Sequence, residues 1–256
     1  VNTPDPVRVH LVCGGRYHDF DYARLQILAG LAAHQEARTT VSGDYRETPH
    51  GGLDGIELLV TYTCDVRPTL AEQEALREWV EGGGRWLALH GTNAALDLTP
   101  EGVVSPRVIP VLAEILGSQF VAHPPIAPYR VEVTAPEHPL VAGVQAFETS
   151  DELYLSEYHG AATVLLHTRF GGEATGFVES SWSEPQDHPV MYLRRVGSGT
   201  VLYLTLGHCR GHYDMRPVSP WWPTVDRGSW DLEVFRLLLE RATTWGLGKP
   251  IDEEAG

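Results

Sequence analysis

Gly82-Gly83-Gly84-Arg85-Trp86-Leu87-Ala88-Leu89-His90-Gly91-Thr92-Asn93 reads as a glycine turn, a short buried strand and a sharp turn into polar residues. The glycines free the backbone for positive φ. The apolar run at 86–89 is too short for a helix and is bounded by breakers, which marks a buried strand. His90 stands where that strand ends, and Gly91 lets the chain turn steeply. In open parallel sheets, functional groups gather just outside the carboxyl ends of the strands. A polar side chain on a strand-to-helix elbow is lifted into that crevice. The lifted group here is an imidazole rather than a serine or a thiol.

The flanking sequence alternates strand and helix. Residues 7–13 predict a first strand, followed by the loop Gly14-Gly15-Arg16-Tyr17-His18-Asp19. Asp19 is placed to cap a helix to about His34, with Tyr22, Leu25, Leu28, Ala29 and Ala32 on one face. Strands are expected at 39–41 and 56–61, with a turn at 51–55. A helix from Pro68-Thr69 to about Glu81 opens on a capping box, Thr69 with Glu72. This order predicts an α/β fold with a largely parallel sheet. Further on, a helix is expected at about 106–116, a loop at 118–125, strands at 129–134 and 163–167, and a polar loop at 182–189. A hairpin joins 190–195 to 200–206 through Val196-Gly197-Ser198-Gly199. The last helix spans 230–245. No internal repeat or linker interrupts the chain, so residues 1–256 read as a single domain with a strand-rich insertion around 125–195.

A composition of 43% hydrophobic and 21% charged residues is that of a folded globular chain. No apolar run approaches the roughly 20 residues needed to cross a bilayer. Val1 to Pro6 lack the basic-then-apolar pattern of a secretory signal. Three scattered cysteines, Cys13, Cys64 and Cys209, make neither a disulfide framework nor a zinc knuckle, and a reducing cytoplasm is the expected location. A net charge of -15 disfavours nucleic acid and anionic membranes as partners. Neutral ligands such as sugars are compatible with it. No glycine-rich dinucleotide fingerprint, Walker loop or Gly-x-Ser-x-Gly elbow occurs.

His90 and His208 each end an apolar strand, so in a parallel sheet both imidazoles reach one edge. Histidine changes charge near neutral pH and suits proton transfer or metal binding. The alternative for each is a ring hydrogen-bonded to a loop carbonyl. Asp151-Glu152 places two acids between apolar residues; on a strand they point to opposite faces. His90, His208, Glu152 and Asp151 are therefore the candidate catalytic residues. Arg16, His18, Asn93, His123 and Tyr154 are candidates for substrate binding. A subset of His18, His90, His123 and His208 is the candidate metal set, for a divalent ion such as zinc. Trp221, Trp222 and Trp230 suit stacking on a sugar ring, with core packing or, in the Trp-rich loop, a homo-oligomer interface as the alternatives.

Several segments together resemble the trehalose-utilisation, or ThuA-like, family. They are Gly15-Arg16-Tyr17-His18, the run from Gly82 to Gly91, Gly117-Ser118-Gln119-Phe120-Val121-Ala122-His123-Pro124 and Glu137-His138-Pro139-Leu140. Asp151-Glu152-Leu153-Tyr154, Pro189-Val190-Met191-Tyr192, Gly197-Ser198-Gly199-Thr200 and Leu206-Gly207-His208 complete the series. The resemblance implies a flavodoxin-like, class I glutamine-amidotransferase-like fold, a mainly parallel sheet with helices on both faces. In amidotransferases a cysteine holds the elbow and a histidine follows a late strand. Here His90 holds the elbow and His208 matches the late histidine, so thiolate-driven glutamine hydrolysis is not expected. The chain departs from the commoner family pattern at Thr92-Asn93 and in lacking a tryptophan after Pro189-Val190.

The family's association with disaccharide and glycoside catabolism implies a sugar derivative as substrate, with a 3-keto glycoside as the form to expect. A ring ketone acidifies the neighbouring C–H, and His90 or Glu152 would serve as base. A cation or a protonated histidine would stabilise the enolate. The alternative is a non-catalytic sugar-binding or regulatory module on the same fold.

Overall fold

The computed structural model describes residues 5–47 and 52–251. The turn expected at 51–55 is described from Gly52 onward; Gly51, and the opening residues 1–4 on which the signal reading partly rests, lie outside the described residues. In chain order the elements are β1 (Val7–Gly15), α1 (Phe20–Ala32), β2 (Ala37–Ser42), β3 (Leu58–Cys64), α2 (Leu70–Glu81) and β4 (Arg85–Leu89). Then come β5 (Asp97–Thr99), β6 (Gly102–Val104), α3 (Pro110–Leu116), β7 (Ser118–Ala122), β8 (Ala127–Val133) and β9 (Phe147–Asp151). The remainder are β10 (Leu155–Tyr158), β11 (Thr163–Glu173), β12 (Ser181–Val196), β13 (Gly199–Leu204) and α4 (Glu233–Gly246).

Nine strands form one sheet in the order β2-β1-β3-β4-β13-β12-β11-β8-β9. The run β2-β1-β3-β4-β13 is parallel throughout. From β13 to β12 and on to β9 every pairing is antiparallel. The sheet is therefore mixed, its parallel half as the strand–helix alternation predicts and its other half built from hairpins. Continuous apolar runs in β3 and β4 suit strands covered on both faces. On one face, Ala23, Ile27 and Leu31 of α1 and Phe235, Leu238 and Ala242 of α4 pack on Leu11, Val60, Leu87 and Leu202. On the other, Leu76 and Val80 of α2 and Leu112 and Ile115 of α3 pack on Leu59, Trp86, Ala88 and Val201.

Local signals set several boundaries. The Asp19 side chain accepts from the Tyr22 backbone N–H at the start of α1. Thr69 and Glu72 form the reciprocal capping box of α2. Other expectations need correction. The buried stripe of α1 is Ala23, Ile27 and Leu31, and Leu25 is 66% exposed; apolar residues nearly all round this helix blur its period. Helix α3 begins at Pro110 rather than near 106, with that proline in its first turn. The segment 118–122 is strand β7, not loop, and pairs with β10. Pro124 and Pro125 forbid a helix there but leave the five residues before them free to extend. The polar stretch 182–189 belongs to β12, half of a long hairpin with β11. The last helix starts at Glu233, after a 3₁₀ turn at Gly228–Asp231. Among the described residues no helix is long and apolar enough to cross a membrane.

Candidate functional site

The parallel strands β1, β3, β4 and β13 deliver their carboxyl ends to one edge. Three non-glycine residues have positive φ among the described residues: Tyr17 (74°), Asp65 (55°) and His90 (47°). They follow β1, β3 and β4. Such backbone costs on the order of 1–3 kcal/mol per residue and persists where surrounding contacts enforce it. At His90 the enforcement is visible. The Tyr203 hydroxyl donates to the His90 carbonyl at 2.6 Å, and the Asn93 N–H donates to that hydroxyl at 3.2 Å. Gly91 lies so close to β3 that a Cβ would sit 2.6 Å from the Thr63 carbonyl oxygen. The elbow therefore needs glycine there.

Four buried side chains converge at this edge: His18 after β1, His90 after β4, His208 after β13 and Glu152 after β9. One ligating atom from each lies within 4.8 Å of all the others. The Nε2 atoms of His18 and His90 are 2.8 Å apart. Glu152 Oε2 lies 3.5 Å from His18 Nε2 and 3.4 Å from His90 Nε2, and its Oε1 lies 3.1 Å from His208 Nδ1.

The tautomers follow from the neighbours. His90 Nδ1 is 2.8 Å from the Thr205 carbonyl oxygen, and His18 Nδ1 is 3.3 Å from that of Arg16. A carbonyl only accepts, so both Nδ1 atoms carry a hydrogen, and in the neutral rings both Nε2 atoms present lone pairs. Two lone pairs facing each other at that separation repel unless a proton or a cation lies between them. His90 is thus tied to a loop carbonyl and is also part of the cluster; the two expectations for it are compatible, as in metal sites where a carbonyl fixes the ring.

Charges follow the burial. His18 is held down to about 3, since burial outweighs the pull of Glu152. Burial alone would lower His208 as well, but Glu152 and Asp226 facing it more than offset that and raise it to about 9. Burial would raise Glu152, yet His208 and His123 beside it outweigh that and hold the carboxyl well below the usual range. Arg210 reinforces this, donating to Glu152 Oε1 at 3.0 Å and to the Tyr17 carbonyl at 3.1 Å.

The cluster forms the floor of a cavity of about 450 Å³. His18, His123, Glu152, Tyr154 and Arg210 line it, whereas His90 and His208 lie one layer beneath. His123 sits at the side of the floor, its Nε2 3.6 Å from Glu152 Oε1 and its Nδ1 2.8 Å from the Pro124 carbonyl. It is not one of the four converging groups, and Glu152 takes the place expected for it in the metal set. The Tyr154 hydroxyl is 3.3 Å from His90 Nε2.

Other candidates lie elsewhere. Asp151 turns away from the cavity: its oxygens accept from the N–H groups of Glu152, Gly207, His208 and Ser229 and from the Ser229 hydroxyl, at 2.6–3.1 Å. It anchors the end of β9 to the His208 loop rather than offering a reactive carboxylate. Asn93 is buried and donates to Ser118 at 2.7 Å, away from the cavity lining. Arg16 is 60% exposed and faces a separate polar groove. Trp222 lines the cavity, Trp221 stacks on His212, and Trp230 packs against Phe235 in the core. The sequence reading missed Arg210 and Phe177. Arg210 stands two residues after His208 in the same loop, a usable signal. Phe177 arrives from the tip of the β11–β12 hairpin, 5.0 Å ring to ring from His123, and nothing local announces it.

A family model described as ThuA, trehalose utilisation, matches residues 8–220. The chain belongs to the ThuA family. Two solved structures described as ThuA-like are similar over nearly the whole ThuA-family chain. One, from Parabacteroides merdae, has a TM-score of 0.68 at 15% identity and covers 97% of this chain and 92% of its own. The other, from Bacteroides uniformis, has a TM-score of 0.65 at 18% identity and covers 96% and 94%. A cold-adapted β-galactosidase from Rahnella sp. R3 contains a similar fold, with a TM-score of 0.57 at 13% identity, over 96% of this chain and 32% of that one. Among curated proteins, none matches the sequence.

Proposed function

We propose that the protein is a carbohydrate-catabolic enzyme that cleaves a 3-keto glycoside by proton transfer, with a divalent cation such as zinc held by His18, His90, Glu152 and His208. The observation that carries this is the pair of Nε2 atoms facing each other at 2.8 Å, with both Nδ1 atoms turned to carbonyls, beside a buried glutamate. The donor set fits a cation: three imidazole nitrogens and one carboxylate oxygen. His208 adds an orphan, since neither ring nitrogen makes a hydrogen bond of good geometry although the ring is buried. A cation bound there would act as a Lewis acid, drawing negative charge from a ligand oxygen.

The chain's own groups suit the rest. The Pro124 carbonyl accepts from His123 Nδ1–H and so turns His123 Nε2 towards the cavity, 24% exposed at its side chain. It is better placed as base than His90, which does not reach the cavity surface, or Glu152, whose low proton affinity makes it a weak base. His123 takes the proton from C2, beside the ketone at C3. The C2–H pair becomes the C1=C2 double bond, and the C1–O bond breaks with its pair on the leaving oxygen. That oxygen then receives the proton from His123, giving an unsaturated keto sugar and an alcohol. Arg210 keeps Glu152 ionised, and Tyr154 and Arg210 offer donors towards substrate oxygens.

The order β2-β1-β3-β4-β13 supports a flavodoxin-like, amidotransferase-like core, with residues 125–195 as a strand-rich insertion in one domain that supplies Asp151 and Glu152. Cys64 lines the cavity, but burial pushes its thiol well above the ordinary range, which supports the reading without a thiolate nucleophile. Buried free cysteines also suit a reducing cytoplasm.

The test is turnover of a 3-keto glycoside by His123→Ala. A loss of ~10²–10⁴-fold in kcat, with metal content and folding unchanged, is expected. A change under about threefold removes His123 as base; tight sugar binding by wild type without turnover favours the binding-module reading.

A further inference from the structure

We propose that the leaving group removed from the sugar is aromatic, seated against Leu96, Leu98, Val103, Phe177, Met215 and Val218 at the mouth of the cavity. This rests on the sugar reading above and names the substrate class for that site.

The cavity reverses the ordinary distribution of polarity. Its deep end is polar: His18, Glu152, Tyr154 and Arg210 are each 8% exposed or less. Its outer wall is apolar, and Leu98 and Val218 are each 50% exposed. Apolar side chains gathered at the mouth of a cleft mark a surface that a ligand covers. A sugar ring satisfies its hydroxyls and ketone on the floor. A second hydroxylated ring against the outer wall would give up water for partners that cannot hydrogen-bond, which is costly. An aromatic ring there loses nothing and buries apolar surface on both sides.

The wall is held in place. Phe177 bridges Val103 of β6, with the Val103 N–H donating to the Gly176 carbonyl at 2.8 Å and the Val178 N–H to the Val103 carbonyl at 2.9 Å. The tip of the β11–β12 hairpin is thereby pinned over the cavity. Phe177 stands edge-on to Phe120 and His123, 5.8 and 5.0 Å between ring centroids. A flat ring can join such a set in the same geometry.

The competing seat is the polar groove beyond the shared wall of Tyr17, Leu96 and Leu98. Its charges are largely committed to one another: Arg67 contacts Asp65 and Asp97, each at 2.8 Å, and Arg16 lies 3.8 Å from Asp65. A hydroxylated leaving group would have to be held there.

The experiment compares the 3-keto derivatives of 4-nitrophenyl glucoside, in both anomers, and of trehalose. The aryl substrate is expected to show a kcat/KM about tenfold or more above the disaccharide. The double variant L98Q/M215Q, checked for folding by circular dichroism, should lose that preference through a fall of about tenfold in kcat/KM on the aryl substrate. Equal or better use of the disaccharide would overturn the aromatic seat and leave the keto-glycoside chemistry standing. If neither substrate turns over, the proposed reaction fails, and calorimetric binding of the unoxidised glycosides decides the seat. Tighter binding of the aryl glucoside, weakened in L98Q/M215Q, supports it; equal or absent aryl binding overturns it.

Discussion

Glu152 ties three charge states together, so pH should act on stability through the cluster. His18 stays neutral in the fold down to about 3, whereas in the unfolded chain it binds a proton near 6.5. The unfolded state therefore takes up protons first, and stability falls as pH drops below that value. Glu152, ionised in the fold well below its ordinary range, acts in the same direction at lower pH. His208 acts oppositely. Its folded value of about 9 gives stability that is complete below about 6.5 and is lost as pH rises through 9. Metal-free protein should thus be most stable between about pH 6 and 7, from these unperturbed values. Urea unfolding in chelator at a series of pH values checks this, and His208→Gln should abolish the alkaline slope. An unchanged slope in that variant would show that His208 does not carry the charge assigned to it.

Elements position these groups through Asp151. One carboxylate fastens the end of β9, the loop after β13 and the 3₁₀ turn at Gly228–Asp231. Gly228 permits the close approach, since a Cβ there would lie 2.8 Å from Asp151 Oδ2. Asp151→Asn exchanges an acceptor for a donor facing backbone N–H groups and should cost about 3 kcal/mol, the scale of a broken buried charged network. Thermal unfolding with bound cation absent measures this, and a loss under about 0.5 kcal/mol would place the anchor elsewhere. The same element shows where sequence reading ends. Two adjacent acids suggested that one faces a pocket and the other solvent; Glu152 does line the cavity, but Asp151, the last residue of β9, is buried rather than exposed. Which of the two faces the cavity depends on the β9–β10 corner. Strands 118–122 and 182–189 were illegible for a related reason: the first runs into two prolines, the second is polar, and each is held by a distant partner, Leu155–Tyr158 and the Thr163–Glu173 strand respectively.

For the whole molecule, the parallel half of the sheet and its edge were legible because apolar runs, caps and glycine turns are local. His90 and His208 could be named from their strand ends, His18 from the loop after the first strand, and Glu152 from its place beside a second acid between apolar residues. Their convergence could not, since it depends on β1, β4 and β13 lying near one another in the order β1-β3-β4-β13 and on a β9 from the far edge of the sheet handing back Glu152. The apolar wall, carried by the short β5–β6 pair, the tip of the β11–β12 hairpin and the loop at Met215 and Val218, left no sequence signal. That convergence makes a cation site the central claim, and calorimetric titration of chelator-stripped protein with zinc tests it most directly. One equivalent should bind, and His18→Ala or Glu152→Gln should weaken binding by more than the ~10–100-fold expected for losing only a supporting partner. No binding by wild type, or binding that is unchanged in both variants, would contradict it.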